Sequence, residues 1–388
     1  MTPAARIAAA IEILDQIAQG ELAERCLTAW ARGHRFAGSK DRAAIRDHVY
    51  DALRCRGSFG RLGGGTDGRA LMIGALRATE QDVDAIFSGL GHAPAPLTPK
   101  ERQVCEPLAA GDLADLDWPD WLRPQMQADL GLAYDTVSQT ARQRAPVFLR
   151  VNRARTDVAQ AQARLKDDGI ETVAVPLAQS ALQVIAGARR LRQTEAYLQG
   201  VVELQDAASQ AAVEALPLDA CQTALDFCAG GGGKALAMAA RAPDLNVTAH
   251  DANPARMKDL AVRADRAGTP INQVKTQDLR GVWDLVLVDA PCSGSGTWRR
   301  TPDAKWRLTQ SGLDDLVALQ AGILKDASSY VAPNGMLVYM TCSMLRAENH
   351  DQVSAFTASG KWDLFEDRAM TPVDGGDGFY YAILKRCV

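Results

Sequence analysis

ALDFCAGGGGKALAMAA, residues 224–240, runs an apolar strand into four consecutive glycines and then into an alanine-rich helix. Bare backbone at such a junction lets the chain approach a ligand above a helix N-terminus, and glycines in that number cost too much backbone entropy to be casual. The alternation of strand, loop and helix continues downstream through NVTAHD (246–251), PARMKDLAVRADRAG (254–268), WDLVLVD (283–289) and GMLVYMTC (335–342), closing on WDLFE (362–366) and FYYAILKR (379–386). Near-continuous apolar strands separated by helices imply an α/β fold whose mostly parallel sheet is covered on both faces, with ligands at the carboxyl ends of its strands.

The loop restricts its ligand by spacing. A phosphate-gripping Walker loop needs a glycine where Cys228 stands and a hydroxyl where Ala235 stands, so nucleoside triphosphate binding is not expected. Gly230, Gly232 and Ala235 satisfy the looser dinucleotide pattern, and Asp251, at the end of the next strand, is placed to hold a ribose diol. Nicotinamide dinucleotide and S-adenosylmethionine both remain open from the loop alone.

Upstream, the period changes twice. VFLRVN (147–152), ETVAVP (171–176) and ALQVIAG (181–187) are short strand-like runs, and VAQAQARLKDDG (158–169) between the first two is helical up to a glycine stop; together they make a small α+β piece. Residues 1 to about 90 have helical periodicity, as in DRAAIRDHVYDALR (41–54) and RALMIGALRATE (69–80), separated by the break GGGTDG. The first helix is expected to bury Ile7, Ala10, Ile11, Leu14 and Ala18. A proline-studded stretch follows, and DWPDWLRPQM (117–126) signals a turn into another short helix.

A chain of 388 residues implies two or three domains. Its eight cysteines form no C-x-x-C pair and no zinc-finger spacing, so neither a metal site nor a disulfide framework is expected and the thiols read as reduced in a cytoplasm. No apolar run has the length of a membrane span, and Glu12 and Asp15 interrupt what a secretory leader would keep uncharged. The net charge of -4 argues against a globally basic nucleic-acid binder. Charge is nevertheless uneven, with Arg/Lys-rich runs at 25–46, 142–155, 188–192 and 299–307 that suit local phosphate binding.

Two cysteines stand apart from the rest. Cys26, Cys55, Cys105, Cys221 and Cys387 read as small inert hydrophobes, and Cys228 as packing or lining beside the loop. Cys292 and Cys342 each follow an apolar strand, where side chains face the ligand crevice. A thiolate adds well to a soft, electron-poor carbon such as carbon 6 of a pyrimidine. That addition turns carbon 5 into a nucleophile able to take a methyl from a sulfonium, and the carbon-5 proton must then leave before the thiol is eliminated. A second cysteine or a carboxylate suits that step, and Asp289 stands three residues before Cys292.

DAPCSGSG followed by RRTPDAKW, then TCSMLRAENHDQV, with DFCAGGGGK and the terminal DGFYYAILKR, resemble the RsmB-type (Nop/Sun) RNA cytosine-5 methyltransferases over roughly 145–388. ELQDAASQ (203–210) is similar to the segment before the cofactor strand in that family, and the helical start is similar to its NusB-like RNA-binding domain. The resemblance implies a helical NusB-like domain with linker over 1–140, a small α+β RNA-binding subdomain over 141–202, and a Rossmann-like methyltransferase domain with a seven-stranded sheet over 203–388. It implies Cys342 as nucleophile, Cys292 as the residue assisting release of the adduct, Asp289 on the cytosine edge and Lys234 against the same base. It implies S-adenosyl-L-methionine held by Asp251 at the ribose, Asp278 at the adenine, and the backbone of Ala229, Gly230, Gly231, Gly232 and Gly233 at the methionine end, with Cys228, Lys234 and Asp289 bordering the cofactor. The family's usual Ala-Ala-Pro-Gly-Gly-Lys-Thr loop here lacks its proline, which makes it less preorganised.

The implied substrate is RNA, with ribosomal RNA of the small subunit ahead of transfer RNA, acted on by a monomer without metal or membrane. The target cytosine must be unpaired or extruded for a thiol to reach it. Within 298–307, Arg299, Arg300 and Lys305 are expected at phosphates and Trp298 or Trp306 in base stacking. A nicotinamide-dependent oxidoreductase would explain the glycine loop but leave Cys292, Asp289 and Cys342 without work. A non-catalytic RNA-binding assembly factor would explain only the basic runs.

Overall fold

The computed structural model describes residues 1–103 and 109–387, and the chain divides into two compact units, Met1–Arg144 with Trp298–Gln310 and Ala145–Thr297 with Ser311–Val388. Cys105 lies outside the described residues. Among the described residues no helix is long and apolar enough to cross a membrane.

The second unit holds two sheets. The smaller is antiparallel, built from β1 (Val147–Val151), β2 (Glu171–Ala174), β3 (Ala181–Ala186) and β4 (Val202–Leu204) in the order β2-β3-β1-β4. Asp157 caps the helix Val158–Asp167 by accepting from the Gln160 amide at 2.8 Å, and Ala161 and Leu165 on its inner face pack with Leu149, Val151, Ile170 and Leu182. The three-residue strand β4 is too short to show a period and is visible only through its pairing with β1.

The larger sheet has seven strands: β5 (Thr223–Asp226), β6 (Asn246–His250), β7 (Asn272–Val274), β8 (Trp283–Asp289), β9 (Val331–Thr341), β10 (Trp362–Met370) and β11 (Phe379–Arg386). Their order is β10-β11-β9-β8-β5-β6-β7, parallel from β9 to β7 and antiparallel where β11 and β10 return. The sheet is thus mostly parallel, as expected. Alternate residues feed two cores: Ala224, Leu285, Leu287, Val338 and Met340 face one layer, and Leu225, Val286, Val288, Leu337 and Tyr339 the other. After β5 the chain builds outward through β6 and β7, then returns to place β8 on the other side of β5. That reversal opens a crevice at the carboxyl ends of β5 and β8, the place where open α/β sheets bind ligands.

The first unit is helical. Thr2 caps the helix Pro3–Ala18 by accepting from the Ala5 amide at 3.2 Å, and Asp67 caps Gly68–Ala78 in the same way at 2.7 Å. The break GGGTDG begins in the helix Arg56–Gly63, which Gly64 ends in the left-handed conformation at φ 79°. Ile7, Ile13, Ile45, Val49, Met72 and Ile73 form its core. Ile13 is buried completely, whereas Ile11 is half-buried and Ala18 exposed, so the buried face is centred one step further round than the sequence pattern implied.

Residues 298–310 belong to this helical unit and correct an expectation. Trp298, Arg299 and Lys305 are buried rather than turned out to RNA. The Lys305 ammonium donates to the carbonyls of Arg54 at 3.0 Å and Asp117 at 2.6 Å, and lies over the rings of Trp118 and Trp306 at 5.4 Å and 4.9 Å. The Trp306 indole donates to Leu53 O at 2.6 Å, and Arg54 Nε donates to Arg299 O at 2.7 Å. Helix-terminal carbonyls without intrahelical partners attract these donors inward. Lys305→Ala is therefore expected to lower the stability of the chain by about 3 kcal/mol, because two buried carbonyls lose a charged donor. Urea unfolding followed by circular dichroism measures this.

Candidate active site

The site grows from the parallel pairing of β8 and β9. Asp289 stands opposite Met340, so both strands end at the same level, and the Ala290 amide continues the ladder to Met340 O at 2.9 Å. Cys292 follows β8 by three residues and Cys342 follows β9 by one. Their sulfurs meet at 3.4 Å.

A buried carboxylate that the sequence reading did not single out holds this meeting in place. Glu348 is fully buried. It accepts from the Ser293 amide at 2.8 Å, the Ser293 hydroxyl at 2.5 Å, the Ser343 hydroxyl at 2.5 Å and the Gln320 side-chain amide at 2.9 Å. Ser293 and Ser343 are the residues that follow the two cysteines, so one carboxylate clamps both loops. The recurring Cys-Ser pair was the only signal for this in the sequence, and it names the two donors without naming their shared acceptor. Gln320, from the helix Gln310–Ser328, also donates to Pro291 O at 3.0 Å, and the Tyr339 hydroxyl donates to Glu348 O at 2.7 Å.

The two thiols differ electrostatically. The hydrogen bond shared with Cys292 holds Cys342 below the ordinary thiol value against the opposing effect of burial, with the Lys234 charge assisting. The same bond, burial and the charges of Cys342 and Glu348 hold Cys292 well above it. Of the two, Cys342 is the thiol that the site favours as thiolate. The Lys234 ammonium pairs with Asp289 at 2.5 Å and lies 5.0 Å over the Phe379 ring. Burial alone would depress Lys234, but the Asp289 carboxylate outweighs it and raises the group.

The glycine loop lies at the end of the adjoining strand β5. Gly230 and Gly232 have φ of +51° and +77°, and a Cβ at Gly232 would come within 2.1 Å of Leu260 Cδ1, so only glycine fits there. The loop is braced without the missing proline. Ala229 N donates to His250 O at 2.8 Å, Gly230 N to Asp251 Oδ2 at 2.9 Å, Arg263 to Gly231 O, and Arg150 Nη1 to Gly233 O at 2.8 Å. Arg150 also meets Gln205 Oε1 at 2.5 Å, which ties the small sheet to the loop.

An adenosyl cofactor finds a matching donor and acceptor set here. Asp251 is buried at the end of β6, its Oδ2 engaged by Gly230 N and Arg256 and its Oδ1 by Asn253 N, which leaves Oδ1 one lone pair for a ribose hydroxyl. Asp226 accepts from Ala235 N through Oδ2 at 3.1 Å, while its buried Oδ1 has no partner among the described residues and suits an ammonium or an ordered water. Asp278 is exposed in the turn Thr276–Asp278, and Thr276 Oγ1 lies 3.0 Å from His250 Nε2 beside the same crevice. Cys228 is half-buried, its thiol pushed up to about 12 by burial and then by Asp226, which makes it a lining group rather than a nucleophile. The structure thus brings Cys292 to Cys342 and Lys234 to Asp289, sets Gly230 against Asp251, and places Asp278 in an exposed turn after β7.

Two measurements follow from this electrostatic layout. Burial first, then Asp289, pushes the Asp226 carboxyl up to about 7, so between about pH 4 and 7 the folded chain keeps a proton that the unfolded chain has lost. Its stabilising effect is therefore present in acid and disappears as pH rises through 7. Asp226→Asn removes the titration, and from pH 5 to pH 8 its stability relative to the parent is expected to rise by about 3 kcal/mol in urea unfolding. Parallel curves would show that Asp226 does not titrate in this range. Glu348→Gln keeps the shape of the clamp and removes a charge that raises both thiols, so the pH profile of iodoacetamide labelling at Cys292 and Cys342 is expected to move to lower pH.

Comparison with known proteins places the family and the fold. The family described as 16S rRNA methyltransferase RsmB/F matches residues 213–385, and its ferredoxin-like domain matches residues 118–189. The ribosomal RNA small subunit methyltransferase B of Xanthomonas campestris is 33% identical over 294 residues, covering 70% of this chain and 67% of that protein. The protein of the same name from Cronobacter sakazakii is 32% identical over 73% of this chain and 70% of its own length. Among solved structures, PH0851 superposes with a TM-score of 0.77 at 22% identity over 100% of this chain and 99% of its own. NSun6 from Pyrococcus horikoshii, solved with SFG, gives a TM-score of 0.60 at 17% identity over 69% of this chain and 98% of its own.

Proposed function

The chain belongs to the RsmB/F family of 16S rRNA methyltransferases, and from that premise we propose that it methylates carbon 5 of a cytosine in small-subunit ribosomal RNA through a covalent adduct on Cys342. The observation that carries the reading is the 3.4 Å contact between the sulfurs of Cys292 and Cys342, at the ends of neighbouring parallel strands and beside the Lys234–Asp289 pair.

S-adenosylmethionine, when bound, supplies an electrophilic methyl group. Asp251 would hold its ribose, Asp278 its adenine, and the 229–233 backbone its methionine end, with Asp226 Oδ1 an acceptor at the base of that loop. Asp289 hydrogen-bonds the edge of the extruded cytosine and Lys234 lies against the same base; a proton donated from the Lys234–Asp289 pair to the ring nitrogen at that edge draws electron density from carbon 6. The Cys342 sulfur adds to carbon 6, which makes carbon 5 nucleophilic. Once Cys342 is a neutral thioether its charge no longer holds the proton on Cys292; Cys292 then releases that proton to solvent and, as thiolate, takes the carbon-5 proton after methylation. Elimination of Cys342 then restores the aromatic ring. The helical residues 1–140 and the small α+β piece 141–202 extend the RNA footprint.

The division of labour between the thiols is tested with in vitro transcribed 16S rRNA and labelled S-adenosylmethionine. Cys342→Ala is expected to abolish methyl transfer. Cys292→Ala is expected to accumulate a protein–RNA adduct that survives a denaturing gel. Bisulfite sequencing of the product locates the cytosine. Two variants that merely slow turnover with no adduct would falsify the assignment.

A further inference from the structure

The basic run at 25–46 takes no part in the site above, and its surface has a composition of its own. Trp30, in the helix Ala23–Gly33, is buried and stacks on His34 at 4.3 Å with the rings 10° from parallel. His34 Nδ1 is 2.8 Å from Trp30 O, and Phe36 meets the His34 ring edge-on at 5.7 Å. This ladder of three rings supports Phe36 from below, yet Phe36 itself is 73% exposed, more than any other Phe, Tyr or Trp among the described residues. A large aromatic ring left facing water is an unpartnered apolar surface.

The charges around it are unbalanced. Each acidic side chain between 21 and 54 already has a cationic partner: Glu21 pairs with Arg25, Glu24 with Arg46, Asp41 with Arg6 and the N-terminal amine, Asp47 with Arg144, and Asp51 with Arg54. Arg32, Arg35, Lys40 and Arg42 are exposed, and their side chains make no hydrogen bond or ion pair among the described residues. Four uncompensated cations thus fall within eleven residues that have the exposed ring at their middle, in a chain whose net charge is -4. Cationic side chains that track a backbone, set around an aromatic face for a base, form the chemistry that binds single-stranded nucleic acid.

We propose that residues 32–42 form a single-stranded RNA platform on the helical unit, with Phe36 stacking one unpaired base and Arg32, Arg35, Lys40 and Arg42 contacting the flanking phosphates. The proposal rests on the reading that the chain acts on RNA, and it adds a contact made outside the methyltransferase site. Stacking on Phe36 tolerates any base, since every base has a π face, so the platform contributes affinity and register rather than sequence choice.

The test uses the full chain and fluorescein-labelled oligouridylate, read by anisotropy across a salt series, together with methyl transfer to 16S rRNA. Phe36→Ala is expected to weaken binding roughly 5- to 150-fold, and Phe36→Trp to retain it. Arg32→Ala with Arg35→Ala and Lys40→Ala is expected to reduce the slope of log affinity against log salt by about 2. In methyl transfer, Phe36→Ala is expected to raise KM and leave kcat unchanged. All these side chains are exposed, and matching thermal melts of parent and variants show that the fold is intact. If the parent binds and methylates RNA while Phe36→Ala and the triple variant bind as tightly with the same salt slope, the platform is wrong and the methyltransferase reading stands. If the parent binds no RNA, both fall. A dimer of the RNA-free chain that Phe36→Ala dissolves would assign the face to a second copy and overturn the proposal.

Discussion

One buried carboxylate determines whether the two sulfurs meet. Strand pairing brings Asp289 level with Met340, but the cysteines lie beyond the ladder, in loops that the backbone hydrogen bonds of the sheet do not hold. Glu348 supplies that hold by accepting from the serine after each cysteine and from Gln320. A charge buried this deeply is tolerable because donors surround it. The same donors hold the two cysteine loops together, and the charge raises both thiols while their shared hydrogen bond separates them.

The glycine loop is held by a related device with opposite signs. Where a proline would stiffen the chain covalently, Arg263 and Arg150 donate to loop carbonyls, while Asp251 accepts from the Gly230 amide. Arg150 comes from β1 of the small sheet, so ordering of the loop is coupled to packing of the small sheet against helix Gly233–Arg241. Gly232 cannot carry a side chain without displacing Leu260, which makes the tight packing of this turn a second reason for glycine besides its positive φ.

Burial separates residues that look alike in the sequence. Lys234 and Lys305 both follow motifs rich in small or cationic residues, yet Lys234 meets a carboxylate beside the crevice and Lys305 meets two backbone carbonyls inside a helical core. Composition cannot distinguish them, because an ammonium is satisfied equally by a phosphate, a carboxylate or a helix-end carbonyl. The basic run at 299–307 therefore read as RNA-facing when Trp298, Arg299 and Lys305 are structural, whereas the run at 25–46 leaves its cations in solvent.

By itself the sequence determined the α/β class, six of the seven strands of the larger sheet, the glycine turn and the presence of two cysteines at strand ends, because periodicity, glycine and strand termination are local properties of the chain. It also carried the family through contiguous motifs. It left β4 and β7 unseen, since three residues are too few to show a period. Only the tertiary structure decided that residues 50 apart bring their sulfurs to 3.4 Å, that Glu348 clamps them, and that Trp298 turns inward. Those outcomes depend on which donor finds which acceptor across the fold, and such pairings belong to the packed three-dimensional arrangement, which no single stretch of chain contains.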